Sequence, residues 1–147
     1  MDTSWQQLEK TSREQLSALS FLIGEWIGEG IADGRPIHGH LIAAMVLGDT
    51  FLEVRETLTR TDGTLDHEDI CYYRYDTSQQ QLRVLQMVAP AWTAERPVLL
   101  LREGGLRWFD GPLGPQVSIC PTATGLLVSV RLPNTPQPVV ELRYRHA

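Results

Sequence analysis

From about residue 24 to the C-terminus, short β-rich runs alternate with turn signals, and this rhythm constrains the fold more than any other feature. The runs lie at roughly 25–32, 37–47, 51–60, 65–75, 81–89, 93–102, 105–110, 115–120, 126–132 and 138–145. Between them stand "DGR", "GD", "TDGT", "DTSQQ", "PAW", "REGG", "DGPLGP", "TATG" and "PNTPQ". Asp-Gly between alternating runs is a hairpin signal, because both residues tolerate positive φ. Many short strands at even spacing point to a sandwich or a barrel, and no convincing helix interrupts them.

A helix is expected only before this region. Ser12 and Gln15 have capping-box spacing, which predicts a helix start at Ser12. Leu16 and Leu19 then share a face, Phe21, Leu22 and Ile23 follow closely, and Gly24 is a natural stop.

Strand faces decide between sandwich and barrel. If Asp62-Gly63 is a two-residue turn, Leu52, Val54, Glu56 and Leu58 pair with Tyr73, Cys71, Asp69 and His67. That face is the more apolar one and is expected inside, although it carries Glu56, Asp69 and His67. Val140, Leu142 and Tyr144 share the inward face of the last run, opposite Glu141, Arg143 and Arg145. Inward faces that are apolar but sprinkled with Tyr and charge suit a ligand-holding barrel better than a dry sandwich core. In "FLIGEWIGEG", Trp26, Gly28, Gly30 and Ala32 alternate onto one side. A large plug followed by small residues predicts a strand blocked at one end of the barrel and open further along.

The "FLIGEWIGEG" stretch, opening the first strand after a short helix, resembles the G-x-W-x-G-x-G start of calycin-like bacterial barrels. Nitrobindin-like proteins and an uncharacterised family of small bacterial proteins are the nearest in pattern, both similar to lipocalins and fatty-acid-binding proteins. The order of features agrees over nearly the whole chain: helix, G-x-W, the "FLEVRETLTRTDGT" hairpin, the "YYRYD" strand, then further antiparallel strands. The resemblance implies an all-β, antiparallel up-and-down barrel of about ten strands, with the helix near one end and a cavity inside. It also implies that Trp26 packs across the closed end, with Gly24 and Gly28 as the matching glycines. Nitrobindin-like proteins hold heme through an inward His on the last strand. Here Val139, Val140 and Glu141 stand where it would be, which leaves His146 or Tyr144 as substitutes. The Arg–Tyr pair with which fatty-acid-binding proteins hold a carboxylate does not carry over, because Arg143 and Tyr144 point to opposite faces.

Composition sets the outer limits. The 147 residues fit one domain over 1–147. A net charge of −5 and the lack of any Lys/Arg run disfavour nucleic acid and anionic membranes as partners. No apolar run is long enough to span a bilayer, and the N-terminus lacks the layout of a secretory signal, so a cytoplasmic location is expected. Cys71 and Cys120 form no metal or disulfide pattern and are expected to be reduced thiols.

Two clusters could carry chemistry. His38 and His40 in "HGH" point the same way from a strand and could join a metal site with a third ligand. A two-residue loop at Asp33-Gly34 turns them outward, where they are expected to be solvated. Glu56 and Asp69 face each other with His67 one step along, which suits acid–base work, but a solvated hairpin tip is the expectation. Trp92 reads as a loop residue at the barrel mouth. No nucleophile elbow, phosphate loop or dinucleotide fingerprint is present.

The sequence therefore predicts a non-enzymatic barrel that holds a small hydrophobic or amphipathic molecule, with no catalytic residue, metal or cofactor. The expected cavity residues are Trp26, Gly28, Val54, Glu56, Asp69, Tyr73, Trp108, Val140, Leu142 and Tyr144. Two alternatives stay open. One is a heme protein of nitrobindin-like type. The other is an interaction barrel that forms a homodimer through a face bearing Ile27 and Ile31.

Overall fold

The structure is a computed structural model and describes residues 3–89, 92–109 and 114–147. It opens with helix α1 (Thr3–Leu16), continued by a 3-10 segment (Ser17–Leu22). Eleven strands follow: β1 (Gly24–Ala32), β2 (Arg35–Val46), β3 (Phe51–Thr59), β4 (Leu65–Asp76), β5 (Gln81–Val88) and β6 (Trp92–Pro97), then β7 (Leu99–Leu100), β8 (Leu106–Phe109), β9 (Gln116–Pro121), β10 (Leu126–Arg131) and β11 (Val140–His146). All belong to one sheet in the order β6-β5-β4-β3-β2-β1-β11-β10-β9-β8-β7. Each ladder joins antiparallel neighbours in sequence except one, β1 with β11, which brings the two ends of the chain together. The result is the expected all-β, up-and-down barrel with an N-terminal helix.

The helix starts nine residues before Ser12, so Ser12 lies inside it and caps nothing. No Pro or Gly separates Ser12 from the good helix formers before it, and Glu9–Arg13 and Lys10–Glu14 add exposed i,i+4 ion pairs. The 3-10 segment closes one barrel end: Leu16, Leu19 and Leu22 are fully buried there, and each contributes roughly 2 kcal/mol.

Eleven strands stand where about ten are expected because the run at 93–102 breaks in two. Pro97 has no N–H to continue the ladder. The Val98 N–H instead bonds the Leu82 carbonyl at 2.9 Å, and its side chain is buried. Beyond it Leu99 and Leu100 pair with β8, at the other edge of the sheet. The peptide chain itself thus crosses the seam between β6 and β7. Trp92 opens β6 rather than lying in a loop. The breaks at 90–91 and 110–113, including the last residue of the run expected at 105–110, lie outside the described residues.

The turn chemistry accounts for the registers. Asp33 and Gly34, at φ 52° and 75°, form a two-residue loop between Ala32 and Arg35. The β3–β4 hairpin keeps the expected pairs Leu52–Tyr73, Val54–Cys71, Glu56–Asp69 and Leu58–His67. Its tip differs from a two-residue turn. The Arg60 N–H bonds the Thr64 carbonyl, the Gly63 N–H bonds the Arg60 carbonyl, and Gly63 sits at φ 87°. This is a three-residue loop, and a bulge beside Leu58 and Thr59 restores the register.

Trp26, Gly28, Gly30 and Ala32 do face inward, but the space over the glycines is not open. Gly28 pairs with Gly39 on one side and Tyr144 on the other, and the Tyr144 ring lies across both. A Cβ on Gly28 would stand 2.8 Å from Tyr144 Cδ1, and one on Gly39 would collide with the Tyr144 hydroxyl. At Gly30 the close neighbour is backbone, the Glu141 carbonyl. The glycines make room for a side chain from the last strand and for the bend that closes the barrel.

Candidate functional site

Tyr144 reaches across β1 and β2 to β3, where its hydroxyl donates to Glu56 Oε2 at 2.7 Å. Glu56 lies opposite Asp69 on β4. Asp69 is buried; Gln86 of β5 donates to its Oδ2 at 2.7 Å, His67 Nε2 stands 3.5 Å from the same oxygen, and the Cys71 thiol at 3.9 Å. Every hydrogen bond to the two carboxylates among the described residues falls on Glu56 Oε2 or Asp69 Oδ2. The pair lies in the barrel wall rather than at a solvated tip, because β3 and β4 extend beyond it through Leu58 and His67 before turning. Alternation fixes the side a residue faces but not its depth along the barrel axis.

Beside this pair is a cavity of about 480 Å³. Its two walls differ in chemistry. On β3, β4 and β5 it meets Glu56, Asp66, His67, Asp69 and Gln86, set among Val54, Leu58, Cys71, Tyr73 and Val88. On β8 to β11 it meets Trp108, Val117, Ile119, Val128, Val130 and Val140. Asp33 also borders it, and no Lys or Arg does among the described residues. Asp66 is held by Arg60 at 3.0 Å, outside that lining.

Burial and the neighbouring Asp69 charge push the Glu56 carboxyl up to about 7, against the smaller opposing effects of the Tyr144 hydrogen bond and His67. Asp69 raises His67 by its hydrogen bond, against the opposing effect of burial. Burial drives the Cys71 thiol and the Tyr73 phenol well above their usual ranges. Glu56, His67 and Asp69 each offer an atom within 4.8 Å of the others, so among the described residues this is the set able to share one cation.

Of the residues expected on the cavity, Val54, Glu56, Asp69, Tyr73, Trp108 and Val140 border it. Trp26, Gly28, Leu142 and Tyr144 do not. Trp26 belongs to the closed end: its indole N–H donates to the Leu22 carbonyl at 2.9 Å, and the His146 ring stacks on it at 3.8 Å. Gly28 lies under the Tyr144 ring. Leu142 is fully buried in the core, and Tyr144 acts through Glu56. Of the two substitute heme ligands, His146 stacks on Trp26 and the Tyr144 hydroxyl donates to Glu56. His38 and His40 point outward, as the two-residue loop requires, and His40 meets Glu25 at 2.8 Å on the surface.

His67, expected on the inward face with Glu56 and Asp69, also borders the cavity; sequence reasoning missed Gln86 and the wall formed by Val117, Ile119, Val128 and Val130. The inward parity of Val128 and Val130 was a usable signal. Gln86 carried none, since its pairing with Cys71 needs the β4–β5 register.

The fold and the site together define a class: a nearly closed antiparallel β-barrel with a largely apolar cavity that carries an acidic cluster on β3 and β4. No protein-family model matches the sequence, and no curated protein matches it. No helix among the described residues is long and apolar enough to cross a membrane.

Proposed function

We propose that the protein is a non-enzymatic binding protein that holds one small amphipathic molecule in its barrel, in the manner of calycin-like proteins. The contrast between the two cavity walls carries this reading. A core filled for stability alone has no use for a polar wall facing a valine-rich wall across about 480 Å³, whereas small-molecule pockets of roughly 300–1,000 Å³ combine an apolar lining with a few convergent polar groups. Burying about 200 Å² of apolar ligand surface would supply roughly 5 kcal/mol before association costs.

Native mass spectrometry of the protein as purified, repeated after denaturation, tests the reading. An organic mass released on unfolding, and absent from a Val128→Trp variant that fills the cavity, is the expected result. A bare polypeptide in both spectra, with no uptake of small amphiphiles added later, would overturn it. A heme mass would replace it with the nitrobindin-like alternative. The homodimer alternative draws on Ile27, Ile31 and Ile42, which are exposed together on the outer face of β1 and β2. A dimer in native spectra that binds nothing would favour it.

A further inference from the structure

The polar wall also selects the kind of polar group a ligand can bring. We infer that the barrel takes an organic cation, an amphiphile whose head is an ammonium group received between Glu56 and Asp69 and whose apolar body lies along the valine wall. This rests on the binding function proposed above and specifies its ligand.

The assignment follows from the donors and acceptors around the cavity. The Tyr73 hydroxyl accepts from Trp108 and keeps its own proton to donate, while three donors near the carboxylates are engaged, Tyr144 with Glu56, Gln86 with Asp69 and His67 beside Asp69. Those bonds fall on one oxygen of each carboxylate, so Glu56 Oε1 and Asp69 Oδ1 are the acceptors left for a ligand. An ammonium offers donors only and matches them. A carboxylate head would add a further acid to a wall that already holds Glu56, Asp66 and Asp69 and has no Lys or Arg among its described residues, where like charge and desolvation both oppose it. The opposite wall, Val117, Val128, Val130 and Val140 with Ile119, offers nothing polar and suits a hydrocarbon body. Trp108, at the edge of that wall, hydrogen-bonds the Tyr73 hydroxyl at 3.4 Å, so its indole N–H is also taken.

Protonation follows the same logic. The titratable groups facing Glu56 are Asp69, His67 and Cys71 from β4 and Tyr144 from β11, while β2 presents Leu41 opposite it. A cation placed beside Glu56 favours its ionised form, so uptake at neutral pH releases a proton.

The test is isothermal titration with n-octylammonium, 1-octanol and octanoate, below their aggregation limits. It is run on the native protein and on the Glu56→Gln and Asp69→Asn variants, each checked for cooperative unfolding. Octylammonium is expected to bind about tenfold tighter than octanol, because hydrogen bonds to ionised groups exceed neutral ones. Octanoate is expected to bind on the order of a hundredfold more weakly than octylammonium. In either variant the preference for ammonium over alcohol should shrink several-fold. Near pH 7 the heat of ammonium binding, unlike that of octanol, should vary with the ionisation heat of the buffer. Octanoate binding as well as octylammonium, or an ammonium preference unchanged in both variants, would overturn the inference and leave the binding function standing. Failure of all three probes to bind would overturn both.

Discussion

Glu56 can be isolated by following stability between about pH 4.5 and pH 8. Its carboxyl has an ordinary value of 4.5 and is raised to about 7 in the fold, chiefly by burial and by Asp69. Below 4.5 the group is protonated whether the chain is folded or not, and it contributes no pH dependence. Between 4.5 and 7 the unfolded chain ionises it while the folded barrel keeps the proton, so unfolding releases a proton and stability falls as pH rises. Above about 7 the loss levels off. At about 1.4 kcal/mol per pH unit the full loss is roughly 3 kcal/mol, an upper figure because cavity water screens part of it. His67 acts in the same direction: its raised value stabilises the fold below 6.5, and that stability is lost as pH rises through the folded value. The carboxylates Glu53, Asp62, Asp76 and Glu95 are all lowered, and their contributions are lost only at more acid pH. Glu56→Gln keeps an acceptor for Tyr144 and removes the proton. It should flatten the segment from 4.5 to 6.5, leave the smaller His67 loss, and make the variant more stable than the parent at pH 8. Urea unfolding followed by tryptophan fluorescence reads this directly. A difference of about 3 kcal/mol moves the midpoint by about 1.5 M at an m-value of ~2 kcal/mol/M. A parent whose midpoint is constant from pH 4.5 to 8, or a Glu56→Gln variant with the parent's slope, would refute the burial of a protonated carboxyl here.

Gly39→Ala drives a methyl into the Tyr144 hydroxyl and ring and should destabilise by about 1–3 kcal/mol in urea; most of that loss should disappear in a Tyr144→Ala background, which removes the ring, so a double-mutant cycle with no coupling would contradict the contact. Tyr144→Phe alone removes a hydrogen bond that lowers Glu56, so the pH midpoint assigned to Glu56 should move upward, and a downward shift would count against the pairing. Trp26→Phe loses the bond to the Leu22 carbonyl and should cost about 1–2 kcal/mol of stability, yet ligand retention in native spectra should persist because Trp26 is not on the cavity wall.

Much of the barrel was legible because alternation and turn chemistry act over short distances. The β3–β4 register could be read from Leu52 to His67 because Asp62-Gly63 sits between two runs of matching parity, and a bulge at the tip absorbs the difference in loop length. Tyr144 over Gly28 and Gly39 was not legible. Its partners lie at the far end of the sequence, and Gly39 drew notice only as the spacer between two histidines. The depth of Glu56 and Asp69 in the wall was missed for a related reason: a strand pattern says in or out, but not how far along the barrel axis the rim begins. The division at Pro97 was available in principle, since a proline there cannot donate to a ladder.

The β1–β11 pairing has a consequence for the order in which the molecule is made. Nine ladders join consecutive strands and can zip up as hairpins while the chain emerges. Only Trp26–Ala32 against Val140–His146 must await the far end of the sequence, and Tyr144, the residue that engages Glu56, arrives on that strand. Without β11, a chain stalled before residue 140 can make only two separate sheets, β1 to β6 and β7 to β10. Joining the two sheets and bringing Tyr144 to Glu56 are therefore the same late event.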